Sequence, residues 1–473
     1  MYDALSVERE IELTSQKGTV SRWMASGLGE IVLDIPPTVY PPREDSSLLD
    51  RVIAELVPGH DKRLLEIGCG SGAITIAAAM RGWDVHACDI NPLAVAATRG
   101  NAAANEFELN MQIKEGGPGY FGQWMPEQGV DVIAWNLPYV EPDPDNSLGP
   151  MEDSALIGDH QSTHLLQTIQ SNPNLLNEGG IILLLHSSNQ IGDAIGSEWR
   201  RNGWATRNIC HKVIGDERLT VIACWRPFEG ASSKRLQTCH SSNDEVFSLG
   251  MVQQGTFVIT DQQVSGRGYS GREWLNSTEG LMGSWALSVN SINHSPEFIQ
   301  MASTIAILDS LSATLDWGLP SHSWSHVSRL EEIGIRVKWP NDIWLRREDT
   351  FGKLCGILVE GKTQGDNVQL VLGIGMNRKP IVDLDQTAGW ETLTPYSLEE
   401  LLPIIHASIS SLLEVHPLIA ELNKEDVLNT IYAAMRCGFS EGSPVAYGLG
   451  DNGGLRTENG LVMSTHDIDW SWD

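Results

Sequence analysis

The chain has 473 residues, 41% hydrophobic and 20% charged, and its 32 Lys and Arg against 61 Asp and Glu give a formal net charge of −29. This length exceeds what one core organises and predicts two or three domains; the acid excess, spread over both halves, argues against nucleic acid as a ligand, because Lys and Arg neutralising phosphates supply most non-specific affinity. The seven cysteines form no C-x-x-C pair and no stretch is apolar enough for a signal peptide or a membrane span, so the sequence predicts a cytoplasmic protein in a reducing compartment, without disulfides, a metal site or membrane contact.

Residues 1–35 are mixed and polar, show no strong period and read as an N-terminal extension. From 63 a regular alternation begins. RLLEIGC reads as a strand, AITIAAAMRG as a helix, DVHACDI as a strand and NPLAVAATRGNAAAN as a helix, followed by VDVIAWN, GGIILLLH and RLTVIACW as strands. Short apolar strands alternating with helices predict an α/β fold with a parallel, doubly wound, Rossmann-like sheet, over 36–228. Residues 229–240 are small and polar and read as a linker. Beyond them TFVITDQQ, GSWALSV, IRVKWPNDIWL, LCGILVEG and VQLVLGIGMN read as strands, while 298–316 and 398–414 carry helical spacing. Strand runs with segregated helices predict an α+β domain over 241–437. The turn signals DNGG and ENG between very short strands predict a small β-rich cap over 438–473.

Chemistry concentrates at two glycine loops. In EIGCGSG at 66–72, Glu66 lies at the end of a strand and Gly68, Gly70 and Gly72 open a helix, which puts backbone N–H groups and a helix N-terminus beneath a nucleoside. Asp89, ending the next strand, is placed to accept both ribose hydroxyls. The same stretch satisfies a loose G-x-G-x-x-A dinucleotide fingerprint, so the loop alone leaves an NAD site open. NLPY at 136–139, where a strand meets its loop, suits an amide or amine target. Asn136 accepts from the target NH2, the Leu137 carbonyl accepts the second N–H, Pro138 stiffens the turn and Tyr139 offers a π face. Such groups orient a nitrogen lone pair toward a methyl donor.

Together with TVYPPREDSSLL at 38–49, these residues resemble the HemK-type protein glutamine methyltransferases. Within that family they look like the branch with a Y-x-P-x-E-D-[TS] leading segment, which methylates the GGQ glutamine of class 1 release factors. The resemblance covers 36–226. It implies an S-adenosylmethionine site lined by Asp45, Ser46, Glu66, Gly68, Gly70, Asp89 and Asn136, with Asn136, Pro138 and Tyr139 as the catalytic group. It also implies a class 1 release factor as substrate and a small zinc-bearing activator subunit as partner. The family pattern is N-P-P-Y, from which Leu137 departs. By charge and motif a protein glutamine ranks first, a protein lysine second and DNA adenine last.

The second loop, GRGYSGREW at 266–274, follows a strand. Its glycines let backbone amides approach a ligand while Arg267 and Arg272 supply charge, as in loops that hold phosphate or acyl-phosphate groups. Trp274 either covers an adenine or packs the loop onto its sheet. KWPNDIW at 338–344, GKLCGILVEG at 352–361 and LGIGMN at 372–377 follow in order. With SSN at 241–243 this ordered set resembles the biotin protein ligases.

That resemblance implies the joining of biotin and ATP into biotinyl-adenylate, with magnesium accompanying the ATP and release of pyrophosphate, then transfer of biotin to a lysine of a biotin carboxyl carrier protein. Lys353 would neutralise the biotin carboxylate and α-phosphate, Lys338 would add to that field, and Asp342 would orient or deprotonate the incoming lysine. Ser242, Asn243 and Gln263 would hydrogen-bond the ureido head. The other implied ligand-site residues are Ser241, Gly266, Arg267, Gly268, Tyr269, Arg272, Trp274, Asn341, Gly356, Gly373 and Asn377. The family commonly reads G-R-G-R-x-G-R, and Tyr269 stands at the fourth position. One lost charge-assisted hydrogen bond is worth roughly 1.5–3 kcal/mol, which predicts adenylate retention weakened by about ten- to a hundredfold.

The sequence therefore predicts a bifunctional enzyme, a protein glutamine methyltransferase followed by a biotin ligase. Two alternatives stay open at this level: a methyltransferase fused to a module that binds biotin or its carrier without turnover, and methylation of a protein lysine.

Overall fold

A computed structural model describes residues 17–56, 61–106, 112–119, 124–138, 161–188, 190–268, 273–275, 277, 279–288, 295–315, 332–364, 367–382, 384, 386–421, 424–435, 446–450 and 453–462. The chain divides into two units. One comprises Met1–Ile195, Thr206–Trp225 and Pro417–Ala420, the other Gly196–Ala205, Arg226–His416 and Glu421–Asp473.

In the first unit β1 (Thr19–Ala25) and β2 (Gly29–Ile35) form an antiparallel hairpin. There follow α1 (Glu44–Glu55), β3 (Arg63–Ile67), α2 (Ala73–Met80), β4 (Asp84–Asp89), α3 (Pro92–Ala104), β5 (Gln112–Glu115), β6 (Val130–Asn136), α4 (Gln161–Ser171), β7 (Leu176–Ser187), β8 (Ala205–Ile214) and β9 (Glu217–Trp225). The sheet runs β5-β4-β3-β6-β7-β9-β8, parallel from β5 to β7, with β9 antiparallel to β7. In β6, VDVIAW is buried throughout, the composition of a strand covered on both faces. Asn91 caps α3, its side chain accepting from the Leu93 amide at 2.9 Å, with Pro92 in the first turn. Strand order reverses between β3 and β6, and a doubly wound sheet binds ligands at the carboxyl edge of that switch point.

Of the stretch 1–35, expected as an N-terminal extension without a strong period, residues 1–16 lie outside the described residues and 19–35 form this hairpin. Trp23, Ala25, Ile31, Leu33 and Ile35 turn inward onto Ala73, Ile76 and Ala77 of α2 and Ala94 and Ala102 of α3. Val20, Met24 and Val32 stand exposed on the opposite face, and apolar residues on both faces blur the period-two signal.

The second unit holds a sheet ordered β10-β11-β12-β16-β15-β14-β13, built from β10 (Ser233–Leu236), β11 (Phe257–Thr260), β12 (Leu281–Leu287), β13 (Ile335–Lys338), β14 (Asp342–Arg347), β15 (Thr350–Gln364) and β16 (Asn367–Met376). Neighbouring strands in it pair antiparallel except β10 with β11, which is parallel. β10 falls inside the stretch expected as a linker: an edge strand of SKRL with three exposed residues carries no burial pattern. The helices are α5 (Ser242–Ser248), α6 (Pro296–Thr314), α7 (Leu398–Leu413) and α8 (Lys424–Met435). α6 is buried on every side from Phe298 to Thr314, the character of a core helix. α7 starts with a capping box between Ser397 and Glu400. β17 (Ala446–Leu449), β18 (Leu455–Thr457) and β19 (Gly460–Val462) form a separate antiparallel sheet. Among the described residues no helix is long and apolar enough to cross a membrane.

Candidate functional site

At the switch point of the first sheet, Gly68, Gly70 and Gly72 have φ of 73°, 54° and 84°, the left-handed region that favours glycine. A Cβ on Gly72 would lie 2.9 Å from Thr98 Cγ2. The Gly70 amide donates to Asp89 Oδ2 at 2.9 Å and the Asn91 amide to Oδ1 at 2.8 Å, so Asp89 is fixed at the end of β4 beside the loop. Burial raises the Asp89 carboxyl above its usual range against these amides. Glu66 is buried and accepts from the Thr75 hydroxyl; loss of hydration pushes its carboxyl up to about 8.

Asn136 ends β6. Its Nδ2 donates to Asp45 Oδ2 at 2.9 Å, and Asp45 Oδ1 accepts from the Ser46 amide at 2.6 Å. A carboxylate only accepts, so this bond assigns the Asn136 amide and turns Oδ1 away from Asp45. That oxygen is buried and has no hydrogen-bond partner among the described residues. A buried acceptor left unpaired is costly. The Leu137 amide donates to the Leu185 carbonyl at 2.9 Å, and its side chain is buried. Pro138 follows in the loop; Tyr139 lies outside the described residues.

In the second unit a cavity is lined by Ser241, Ser242, Asn243, Gln263, Arg267, Gly268, Trp274, Asn341, Lys353, Gly356 and Gly373, with Ile357, Leu358, Ile374 and Gly375. One end is polar. Gln263 Oε1 accepts from the Ser242 amide at 2.8 Å and Ser284 Oγ lies 2.7 Å from Ser242 Oγ and 2.6 Å from Asn243 Oδ1. The floor is glycine. A Cβ on Gly356 or Gly375 would come within 2.7 or 2.3 Å of the Trp274 indole, and one on Gly373 within 2.5 Å of Asn243. Trp274 thus packs on bare backbone of β15 and β16 while lining the cavity, and both of its expected alternatives concern this one surface. Lys353 Nζ lies 5.3 Å from the Trp274 ring centre and 2.8 Å from Asp342 Oδ1. That contact is an ion pair off the line of a hydrogen bond, since Asp342 Oδ1 accepts none among the described residues.

Arg267 is held twice. It makes bonds of 2.6 and 3.0 Å to the two oxygens of Asp244 and bonds of 3.3 and 3.0 Å to those of Glu360. These bonds raise the guanidinium pKa, and Arg267 in turn holds the Asp244 carboxyl below its usual range. Glu360 also accepts from Asn243 Nδ2 at 2.6 Å.

Other expected site residues sit off the cavity. Asn377 Nδ2 donates to the Lys353 carbonyl at 3.2 Å, the Gly266 carbonyl accepts from the Trp274 amide at 2.8 Å, and Lys338 Nζ lies over the Trp344 ring at 5.3 Å. Asn341 reaches the cavity while its Nδ2 donates to the Ile357 carbonyl at 2.7 Å. Tyr269 and Arg272 lie outside the described residues. Sequence reading passed over Asp244, Glu360 and Ser284. Asp244 directly follows SSN and Glu360 lies within GKLCGILVEG, but only pairing across the sheet joins either to Arg267.

Residues 233–377 match the model of the biotin/lipoate A/B protein ligase family, and residues 48–137 that of ribosomal protein L11 methyltransferase. A protein of Methanocaldococcus jannaschii assigned as a protein N5-glutamine methyltransferase is 31% identical over 198 residues, covering 41% of this chain and 96% of the relative. The release factor glutamine methyltransferase of Salmonella typhimurium is 32% identical over 192 residues, covering 39% of this chain and 67% of the relative. The bifunctional ligase/repressor BirA of Escherichia coli is 30% identical over 170 residues, covering 35% of this chain and 47% of the relative, so the chain spans under half of that ligase.

Proposed function

We propose, on the premise that this chain belongs through its first half to the protein N5-glutamine methyltransferases and joins to it a domain of the biotin/lipoate ligase type, that it methylates a protein glutamine and biotinylates a protein lysine. The observation carrying the first activity is Asn136 Oδ1, an unpaired buried acceptor in an orientation set by Asp45. It would receive one N–H of the target amide and the Leu137 carbonyl the other, aligning the nitrogen for transfer. Gly68, Gly70 and Asp89 form a cradle that fits an adenosyl group, with Asp89 toward the ribose; S-adenosylmethionine supplies the methyl group. The target is the GGQ glutamine of a class 1 release factor, and 36–228 is the domain that acts on it.

For the second activity, over 241–437, the cavity joins a polar end suited to a ureido group with Lys353, the one lysine among its described lining residues. Lys353 would neutralise the two anions that must meet, a biotin carboxylate and the α-phosphate of ATP, the latter accompanied by magnesium. The carboxylate oxygen attacks that phosphorus and pyrophosphate leaves. The carrier lysine nitrogen then attacks the acyl carbon, AMP leaves, and Asp342 is the group beside Lys353 able to take the amine proton.

Incubating the protein with a release factor, a biotin carrier domain, S-adenosylmethionine, biotin and ATP, followed by mass spectrometry, reads both activities. Methyl on the GGQ glutamine and biotin on the carrier lysine are expected. A methylated lysine instead would move the first assignment to the other protein target. Biotin-dependent pyrophosphate exchange is expected in the wild type and absent in Lys353→Ala; no exchange in the wild type makes the second unit a binding module.

A further inference from the structure

The ligase-type reading gives Arg267 of the glycine loop a phosphate to bind, yet among the described residues its side-chain bonds run to protein carboxylates. Asp244 on α5 takes two of its N–H groups, at 2.6 and 3.0 Å, and Glu360 on β15 accepts at 3.0 and 3.3 Å. Lys362 Nζ lies 3.3 Å from Asp244 Oδ1. Two cations and two carboxylates cancel, so this cluster offers an incoming anion no net attraction. A planar guanidinium with fork-like donors is suited to joining two carboxylates from different elements.

Glu360 has a second task. Its Oε2 accepts from Asn243 Nδ2 at 2.6 Å, and Asn243 Oδ1 lies 2.6 Å from the buried Ser284 hydroxyl, itself 2.7 Å from Ser242 Oγ. The line Gln263–Ser242–Ser284–Asn243–Glu360–Arg267 therefore runs without a break from the polar end of the cavity to the glycine loop.

We propose that Arg267 is a latch rather than a phosphate ligand: through Asp244 and Glu360 it fastens the glycine loop to α5 and β15, and Glu360 ties that fastening to the head-group end of the cavity. Asp244 and Glu360 are then positioning residues, acting on the ligand only through Arg267 and Asn243. The anion-facing charge among the described cavity residues is left to Lys353. This inference rests on the ligase-type reading of the cavity.

The two roles of Arg267 predict opposite signs for Asp244→Asn. A latch loses its anchor, whereas a phosphate ligand is released from a competing carboxylate. With adenylate formed in place from biotin and ATP, its release is timed by transfer to excess carrier. The expected result is release about three- to tenfold faster in Asp244→Asn and Arg267→Lys, the scale of a part-exposed bidentate pair. The double variant is expected to be no faster than the quicker single one, because both changes break one contact. Glu360→Gln, which keeps an acceptor for Asn243, is expected to raise release and the KM for biotin together, while kcat at saturation stays within about threefold.

Release that is unchanged or slower in Asp244→Asn, with faster release in Arg267→Lys, overturns the latch and makes Arg267 a phosphate ligand. A wild type that forms no adenylate removes the ligase reading, and the latch is then read by cleavage. Chymotrypsin is expected to cut after Tyr269 faster in Asp244→Asn than in the wild type; equal rates overturn the latch.

Discussion

Asp45 and Asn136 work as a pair in which one side chain sets the orientation of the other. Resemblance places both at the cofactor, and the bond from Asn136 Nδ2 to Asp45 Oδ2 gives Asp45 a further role under the proposed reading, that of fixing which way Asn136 Oδ1 faces. In Asp45→Asn the partner at 45 gains a donor of its own, and the Asn136 amide loses its fixed sense. Methylation turnover is expected to fall roughly ten- to a hundredfold, the cost of losing an oriented reactant, while S-adenosylhomocysteine affinity measured by calorimetry changes less than about threefold. Loss of that affinity instead would assign Asp45 to the cofactor. Leu137 illustrates a local substitution with its own support. Its amide donates to Leu185, a bond a proline cannot make, so a ladder hydrogen bond replaces ring stiffness. The motif residues were readable in the sequence, whereas the unpaired state of Asn136 Oδ1 depends on which groups α1 brings beside β6.

At the scale of elements, the ligand cavity is a product of glycine spacing on two adjacent strands. Gly356 pairs with Gly375 and Leu358 with Gly373 between β15 and β16, which leaves the sheet bare where Trp274 and Asn243 lie on it. Gly375→Ala places a methyl group 2.3 Å from the indole of Trp274. The rigid ring must move, at a cost of roughly 1–3 kcal/mol. Biotin affinity measured by titration calorimetry is therefore expected to fall about tenfold or more, with the sheet's strand content by circular dichroism unchanged; unaltered affinity would show that the Trp274 position is irrelevant to the ligand. LCGILVEG and VQLVLGIGMN were legible as strands because their apolar runs are continuous. The β1–β2 hairpin and β10 were not. The first shows apolar residues on both faces and the second shows almost none buried, so neither carries the contrast that periodicity needs.

For the whole molecule, two buried groups make the units respond to pH in opposite senses. Glu66 has its carboxyl pushed by burial from 4.5 to about 8, so above pH 4.5 the unfolded chain ionises first, and the first unit loses stability until the pH passes 8. His406 on α7 accepts from the Trp285 indole at 3.0 Å, and burial lowers its pKa from 6.5 to about 4. As pH falls from 6.5 toward 4 the unfolded chain protonates first, and the second unit loses stability over that window. Each contribution changes by up to about 1.4 kcal/mol per pH unit. Between about pH 5 and 6.5, calorimetry is expected to show one transition falling and the other rising with pH, with Glu66→Gln flattening the first and His406→Gln the second. If both move in the same direction and neither variant changes its slope, these groups do not govern the response.

The sequence by itself determined the order of the strongly patterned elements in each half, though not the β1–β2 hairpin or β10, together with the two glycine loops and the chemical types gathered around them, because alternation, turn residues and motif spacing are properties of the local chain. Tertiary structure alone decided which groups meet. It set Asp45 against Asn136 across 91 positions and Glu360 against Arg267 across 93. It also gave Asn377 and Gly266 hydrogen bonds to the backbone of Lys353 and Trp274, beside the cavity. Such pairings depend on strand order and register, which bring remote residues within hydrogen-bond reach and leave no trace in local spacing.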